Sequence, residues 1–195
     1  MAVYLQVLEE LEAEGEEIIS SSKLAQLCGV NPSQIRKDLA YFGEFGVRGV
    51  GYYVTDLKES IKHFLGLDKT WNCAIVGIGN LGRALINHRA IKDKGYRIVG
   101  AFDWDPFKIG EKVGDLEIIC TRRLKEKAKE LNIQIGIITT PPNRAQRAAN
   151  HIVEAGIKAI LNFSPTRISV PDDVIVDYVE FSRYLIYLSF KLIHG

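Results

Sequence analysis

The sequence contains little of what would indicate a disulfide-stabilised, metal-binding or membrane protein. It has three cysteines, at 28, 73 and 120, which is an odd count in no metal-ligand spacing, and its four histidines form no pair on one helix face. No run approaches the roughly 18 apolar residues of a membrane span, and no signal peptide opens the chain. The formal net charge is only +1, so any affinity for nucleic acid must come from a local patch. These features predict a cytoplasmic protein with reduced thiols and no metal site.

Two patterns of residues divide the chain. Residues 1–66 are predicted to be helical with one glycine-rich interruption, whereas from Trp71 onward short apolar runs alternate with helical stretches. The predicted strands are 73–78, 96–102, 116–120, 133–139, 158–163 and 174–179, with helices such as 121–131 and 143–156 between them. This alternation is typical of an α/β fold, in which helices cover a parallel sheet. The segment LGLDKTW (65–71) is the predicted linker.

The segment AIVGIGNLG (74–82) contains a G-x-G-x-x-G motif between an apolar run and a helix. In this motif the first glycine permits a tight turn, the second lets a pyrophosphate approach the backbone, and the third lets helix and strand pack closely. The phosphates would lie at the N-terminus of the helix, where free N–H groups favour negative charge. The residues predicted to bind the dinucleotide here are Gly77, Ile78, Gly79, Asn80, Leu81 and Gly82. The alternative is that the glycines only let a strand turn into a helix.

Asp103 follows the second predicted strand, 21 residues after Gly82. An acidic residue there accepts hydrogen bonds from ribose hydroxyls and repels a 2′-phosphate, which favours NAD(H) over NADP(H). The alternative is that Asp103 caps the segment PFKIGEK. Thr140 and Pro141 leave the fourth predicted strand at the carboxyl edge of the sheet, where ligands bind in such folds. They are predicted to line the nicotinamide side, the alternative being a plain turn before a helix.

The segment SSSKLAQLCGVNPSQIRKDLAYFG (20–43) predicts two short helices around a tight turn. Gly29 can end the first helix, and Asn31 can cap the second, with Pro32 at its first position and Gln34 as the capping-box partner.

The second of these helices has an apolar face, formed by Ile35, Leu39 and Phe42, and a small-plus-basic opposite face that suits a DNA major groove. The glycine-rich segment GEFGVRGVGYYV (43–54) predicts a hairpin, or wing, whose tip can reach phosphates or a minor groove. The residues predicted to contact DNA are Ser33, Arg36, Lys37 and Arg48. The alternative is a packing domain without DNA binding.

In combination, the segments 33–54, 75–85 and 156–165 resemble the Rex family of redox-sensing repressors of Gram-positive and related bacteria, over nearly the whole chain. The resemblance implies a winged helix-turn-helix domain (1–66), a Rossmann-like NAD(H)-binding domain (70–179) and a C-terminal helix (180–195) swapped in a homodimer. It also implies a repressor, not an enzyme, that binds a palindromic inverted repeat of double-stranded operator DNA. A high ratio of NADH to NAD+ would release it.

The segment FSRYLIYLSFKLI (181–193) supports such a dimer independently of the resemblance. It is apolar almost all round, so as a helix it must be buried. We predict burial against a second subunit, the alternative being that the helix covers its own sheet. Phe181 resembles the aromatic residue that reaches the partner's nicotinamide pocket in the family.

The resemblance places an inter-subunit switch at Gln6, His88 and Glu180, where the family tends to use an arginine, a tyrosine and an aspartate. Glu180 can still accept a hydrogen bond, but Gln6 is uncharged, so a charge pair between them is excluded. The family usually carries an arginine-bearing segment ahead of the tyrosine matched by Tyr4, so we expect a shortened start or a natural start further upstream.

Three other interpretations remain open at this stage. The first is a regulator of the same architecture that senses another nucleotide, such as a CoA ester or ADP. The second is an NAD-dependent dehydrogenase with an accessory helical domain, and the third is an architectural DNA-binding protein whose second domain only dimerises.

Overall fold

The computed structural model describes residues 1–40, 46–47 and 50–195. The chain divides into two compact units, Met1–Lys69 and Thr70–Gly195. Buried apolar side chains form one cluster in the first unit and two clusters in the second, on the two faces of its sheet. Each unit therefore has a hydrophobic core of its own.

The first unit consists of helices and a small antiparallel sheet. Its described elements, in chain order, are α1 (Ala2–Ala13), β1 (Ile18–Ile19), α2 (Ser21–Cys28), α3 (Pro32–Ala40), β2 (Gly46–Val47), β3 (Gly51–Tyr53) and α4 (Val54–Phe64). The strand order is β1-β3-β2, and the antiparallel pairing of β2 with β3 confirms the predicted hairpin. Arg48, at its predicted tip, lies outside the described residues, as does Phe42.

Local signals begin and end the two central helices. Gly29 ends α2 with a φ of 67°, and Asn31 Oδ1 accepts the N–H of Gln34 at 2.8 Å at the start of α3, both as predicted. The prediction of a capping-box partner is wrong. The side chain of Gln34 donates instead to Asp38 Oδ1 at 2.5 Å, because that carboxylate lies one turn along the same helix.

Burial of one face of α3 determines which of its residues face outward. Ile35 and Leu39 are buried in the same cluster as Leu8 of α1, Leu24 of α2 and Leu57 of α4. Each such side chain contributes about 1.5–3 kcal/mol by leaving water. The small and basic residues of α3 are therefore held on the exposed side.

The second unit is a sheet with helices on its faces. Its described elements are β4 (Trp71–Val76), α5 (Asn80–Ile86), α6 (Arg89–Asp93), β5 (Tyr96–Asp103), β6 (Lys112–Val113), β7 (Leu116–Cys120), α7 (Leu124–Glu130), β8 (Ile135–Ile138), α8 (Pro142–Glu154), β9 (Ala159–Asn162), β10 (Ile175–Tyr178) and α9 (Phe181–His194). The strand order is β10-β9-β8-β4-β5-β7-β6, and the pairs are parallel except that of β6 with β7. The predicted α/β class with a Rossmann-like parallel sheet is confirmed.

The position of β4 determines where a ligand site can form. This strand lies between β5 and β8, so the chain first forms β5 on one side of β4 and later forms β8 on the other side. Such a reversal of strand order opens a crevice at the carboxyl ends of the strands. β4 ends at Val76, two residues before its predicted end, because Gly77 adopts a φ of 101° and turns the chain into that crevice.

The helix α9 exposes apolar side chains all round. No residue of α9 is buried, and its large apolar side chains range from 56% exposed at Leu188 to 88% at Leu192. A ring contact of 6.3 Å joins Phe181 to Phe163 of the same unit. The alternative that this helix buries its apolar surface on its own sheet is therefore wrong.

Candidate functional site

Two glycines of the turn are required by the chain's own packing. A Cβ on Gly77 would lie 2.6 Å from Thr140 Cγ2, and a Cβ on Gly82 would lie 2.6 Å from the carbonyl oxygen of Gly77. Both distances are shorter than real Cβ contacts, so a larger residue would force the backbone apart. The hydroxyl of Thr139 donates to the same carbonyl oxygen at 2.5 Å and fixes the turn from β8.

Gly79 differs from its two neighbours in the motif. A Cβ there would meet nothing within 4 Å, and its φ of −90° is accessible to any residue. Gly79 is the N-cap residue just before α5, and among the described residues no side chain caps that helix. Open space at the N-terminal end of a helix is what a phosphate needs in order to approach the chain closely.

The other residues of the motif divide into core and surface. Ile78 is fully buried, and its N–H donates to Asp103 Oδ2 at 2.8 Å, so this residue joins the turn to the end of β5. Asn80 and Leu81 are exposed at the start of α5. The structure therefore brings Asp103 to the glycine turn, as the sequence pattern predicts.

The carboxylate of Asp103 is buried and densely hydrogen-bonded. It is 4% exposed, and besides Ile78 it accepts the N–H groups of Trp104 at 2.7 Å and Asp105 at 3.0 Å, and the ammonium of Lys108 at 3.2 Å. Burial alone would raise the pKa of Asp103, but the N–H groups of Asp105 and Ile78 and the Lys108 ammonium outweigh it and hold the pKa below its usual value. Asp103 is therefore charged at neutral pH, and it orders the residues after β5 as well as the turn.

Unpartnered buried hydroxyls lie at the same edge of the sheet, past the ends of β8 and β9. Thr140 is 5% exposed and Ser164 3% exposed, and neither hydroxyl has a hydrogen-bond partner among the described residues. Strands β8 and β9 are paired through Ile138 and Asn162, which lie two residues before Thr140 and Ser164. Both hydroxyls therefore lie in neighbouring loops. Pro141 follows Thr140, is exposed and is the N-cap residue just before α8. Sequence reasoning did not single out Ser164; its signal is a polar residue just after a strand at this edge.

The predicted DNA-contacting side chains that the structure describes lie together on α3. Ser33, Arg36 and Lys37 are exposed, and the guanidinium of Arg36 donates to the hydroxyls of Ser33 and Ser21, each at 3.2 Å. Arg36 lines a groove of approximately 450 Å³ between α3 and the β2–β3 hairpin, together with Ser21 and Val47. An exposed, oriented arginine beside a hairpin can pair with phosphate or with the acceptor edge of guanine.

The three predicted switch residues are exposed. Gln6 lies on α1 and its side chain donates to Glu10 at 3.2 Å. His88 lines a cavity with Tyr96 and Leu116, the first residues of β5 and β7, so it lies at the amino edge of the sheet. Glu180 follows β10 and therefore lies at the carboxyl edge. His88 and Glu180 of one chain are therefore at opposite ends of the strands.

The described residues are expected to contain no metal site, and their thiols to be reduced. Within residues 1–40, 46–47 and 50–195, no three His, Cys, Asp or Glu side chains could hold a metal ion. The described cysteines are free, and burial raises the pKa of the Cys73 thiol to about 11, which makes it a poor nucleophile. In the same part of the chain, no helix is both long and apolar enough for a transbilayer segment.

Comparison with known proteins gives similarity over nearly the whole chain. Two family models match, a CoA binding domain over residues 68–166 and a putative DNA-binding protein N-terminus over residues 1–40. A protein of Solidesulfovibrio magneticus named redox-sensing transcriptional repressor Rex is 61% identical over 192 residues, which cover 98% of this chain and 87% of that protein.

Two solved structures have the same fold. RSP in complex with beta-NAD+ and operator DNA has a TM-score of 0.92 and 42% identity, and the match covers 97% of this chain and 87% of that chain. RSP in complex with beta-NADH has a TM-score of 0.88 and 40% identity, with 97% and 88% covered. The similarity thus includes both units and not only the nucleotide fold.

Proposed function

The chain belongs to the Rex family of redox-sensing transcriptional repressors, and we propose that it binds an inverted-repeat operator as a homodimer and leaves the DNA when NADH binds. It is a regulator and not an enzyme, as its relatives are repressors. The complexes of RSP with beta-NAD+, beta-NADH and operator DNA support NADH and NAD+ as its nucleotides and duplex DNA as its partner. We propose that the protein acts in the cytoplasm, where a bacterial cell contains both NADH and the chromosome.

The observation that carries this proposal is the open space at Gly79 beside a buried, charged carboxylate. Among the described residues, nothing lies within 4 Å of a Cβ built on Gly79, so the fold leaves room there for a pyrophosphate to approach the backbone. Asp103, joined to the same turn, suits the adenosine ribose, and the unpartnered hydroxyl of Thr140 suits the polar carboxamide of a nicotinamide. We propose Pro141 and the partner's copy of Phe181 as further walls of that pocket.

On the DNA side, α3 is the proposed recognition helix. Its core-facing residues orient Ser33, Arg36 and Lys37 outward, and two hydroxyls hold the guanidinium of Arg36. We propose that these residues and Arg48 contact the operator. In a dimer the two copies of α3 must match half-sites about 34 Å apart.

The dimer and its switch follow from α9 and from the sheet edges. The apolar surface of α9 needs a cover that its own unit does not supply, so we propose that it is exchanged between subunits as the domain 180–195. Because His88 and Glu180 lie at opposite edges of one sheet, we propose that they act across the subunit boundary, with Gln6 of the winged-helix domain (1–66). NADH differs from NAD+ by one hydride and one charge, and it can shift the dimer only by differential affinity for two arrangements. A hundredfold loss of operator affinity needs about 2.7 kcal/mol of coupling.

The test is fluorescence anisotropy of a labelled inverted-repeat operator, titrated with the protein in the presence of NADH or NAD+. We expect release by NADH and retention with NAD+. Lys37→Ala should weaken operator binding and lower its salt dependence, whereas Lys125→Ala, an equal loss of charge at an exposed residue of α7, should change neither.

The same titration separates the remaining interpretations. Operator release by a CoA ester or ADP, but not by NADH, would indicate another nucleotide for this domain (70–179). Operator affinity that ignores every nucleotide would indicate an architectural protein. A separate absorbance assay should show no steady oxidation of NADH with simple carbonyl compounds, which a dehydrogenase would catalyse.

A further inference from the structure

The carboxylate of Asp103 has no acceptor position left for a ribose hydroxyl. A carboxylate offers about four lone-pair positions, two on each oxygen. Oδ1 accepts the N–H groups of Trp104 and Asp105, and Oδ2 accepts the N–H of Ile78 and the ammonium of Lys108. A ribose hydroxyl can therefore bind Asp103 only by replacing one of these four donors.

The four donors differ in how easily they can leave. Three are backbone N–H groups, that of Ile78 buried and those of Trp104 and Asp105 partly buried, and removing their acceptor would leave them unsatisfied. The fourth is a side chain that is 32% exposed and can be hydrated in any new position. Lys108 also has a second anion at hand, because its Nζ lies 3.9 Å from Asp105 Oδ2. Lys108 is thus the donor that a ribose hydroxyl displaces.

We propose that Lys108 is a specificity-determining residue of the dinucleotide site. In the free protein the Lys108 ammonium donates to Asp103 Oδ2, and a ribose hydroxyl displaces it. Because the Lys108 N–H donates to the Asp105 carbonyl at 3.1 Å, the displaced ammonium stays beside the ribose. This inference rests on the proposed function, since it concerns how the same site selects its nucleotide.

The position of Lys108 has opposite consequences for two nucleotides. For NADH it is a competitor that must be displaced from Asp103. For NADPH it is an attractive charge next to the 2′-phosphate that Asp103 repels. Lys108 therefore weakens NADH binding slightly and reduces the discrimination against NADPH that Asp103 alone would give.

The test is the ratio of the dissociation constants of NADPH and NADH, measured by nicotinamide fluorescence for wild type and three variants. Lys108→Met removes the charge at similar volume, and we expect NADH to bind about two- to fivefold more tightly and NADPH about tenfold or more weakly. Lys108→Arg keeps the charge and should keep the wild-type ratio. Lys112→Met, the same change at an exposed residue of β6, is the control and should leave both constants unchanged. Melting temperatures of all variants identify any loss of fold.

Each outcome decides the proposal. A raised ratio in Lys108→Met alone supports it. An unchanged ratio, or weaker NADH binding in Lys108→Met, overturns it, the latter because Lys108 would then hold the nucleotide directly. Wild-type protein that binds neither nucleotide overturns the proposed function itself, which a wild-type titration reveals before any variant is compared.

Discussion

Replacing Gly79 by alanine separates the needs of the fold from the needs of a ligand. The added Cβ meets nothing within 4 Å, and the backbone angles at this residue are extended and open to alanine. Since alanine restricts the unfolded chain more than glycine does, we expect stability to be unchanged or raised by about 0.4–1 kcal/mol. The measurement is the free energy of unfolding in urea, followed by circular dichroism.

The same methyl group should interfere with nucleotide binding. In the proposed site it occupies the space through which a pyrophosphate would reach the N–H groups of α5, and forcing an extra methyl into a filled contact costs about 1–3 kcal/mol. We therefore expect NADH to bind about 5- to 150-fold more weakly to Gly79→Ala. Operator binding without nucleotide should match wild type, and release should need correspondingly more NADH.

The matched control is Gly82→Ala in the same motif. Its Cβ would lie 2.6 Å from the Gly77 carbonyl oxygen, so this variant should lose stability as well as NADH binding. Wild-type affinity for NADH in Gly79→Ala would refute the placement of the pyrophosphate. A loss of stability in Gly79→Ala equal to that of Gly82→Ala would refute the steric distinction between the two glycines.

The remaining predictions concern the helices α1, α3 and α9. The Tyr4 hydroxyl donates to Asp38 Oδ2 at 2.6 Å; burial and this carboxylate raise the pKa of Tyr4 to about 12, and the hydrogen bond from Tyr4 lowers the pKa of Asp38. Because the pKa of Asp38 is lower in the folded protein, its carboxylate stabilises the fold above the unfolded pKa of about 4, and this stabilisation is lost as the pH falls through the folded pKa. Tyr4→Phe should therefore lower Tm at pH 7 and have less effect at pH 3. Leu185→Glu with Leu188→Glu should raise the dimer dissociation constant at least about tenfold, because each leucine contributes about 1.5–3 kcal/mol when buried. Sedimentation velocity measures this change, Lys125→Glu is the control, and an unaltered dimer would contradict the role of α9.

The sequence pattern predicts the large elements well because they carry long apolar signals. The run LEIIC coincides with β7, and the glycine motif predicts the edge of the sheet at which a ligand would bind. The two-residue strand β1 has too few residues for any periodicity, and it forms because Ile18 and Ile19 pair with Tyr53 and Tyr52.

The details of the site depend on contacts between distant segments. The sequence predicts Asp103 as a ribose acceptor, but its bond to the N–H of Ile78 arises only because β4 and β5 are neighbours in the sheet. The Lys108 ammonium reaches the same carboxylate through a turn of five residues whose path has no sequence signature. Residue type therefore predicts a role for Asp103. Which other groups donate hydrogen bonds to its carboxylate is determined by the folded chain.

The contrast among the three glycines also has an evolutionary consequence. Gly77 and Gly82 are kept by selection for folding, so they should persist in any descendant of this chain that remains folded. If the proposed nucleotide site is correct, Gly79 is kept only by selection for a bound nucleotide. In a lineage that stops sensing redox state, Gly79 should be the first of the three to drift, and its identity in a descendant would then report whether that protein still senses.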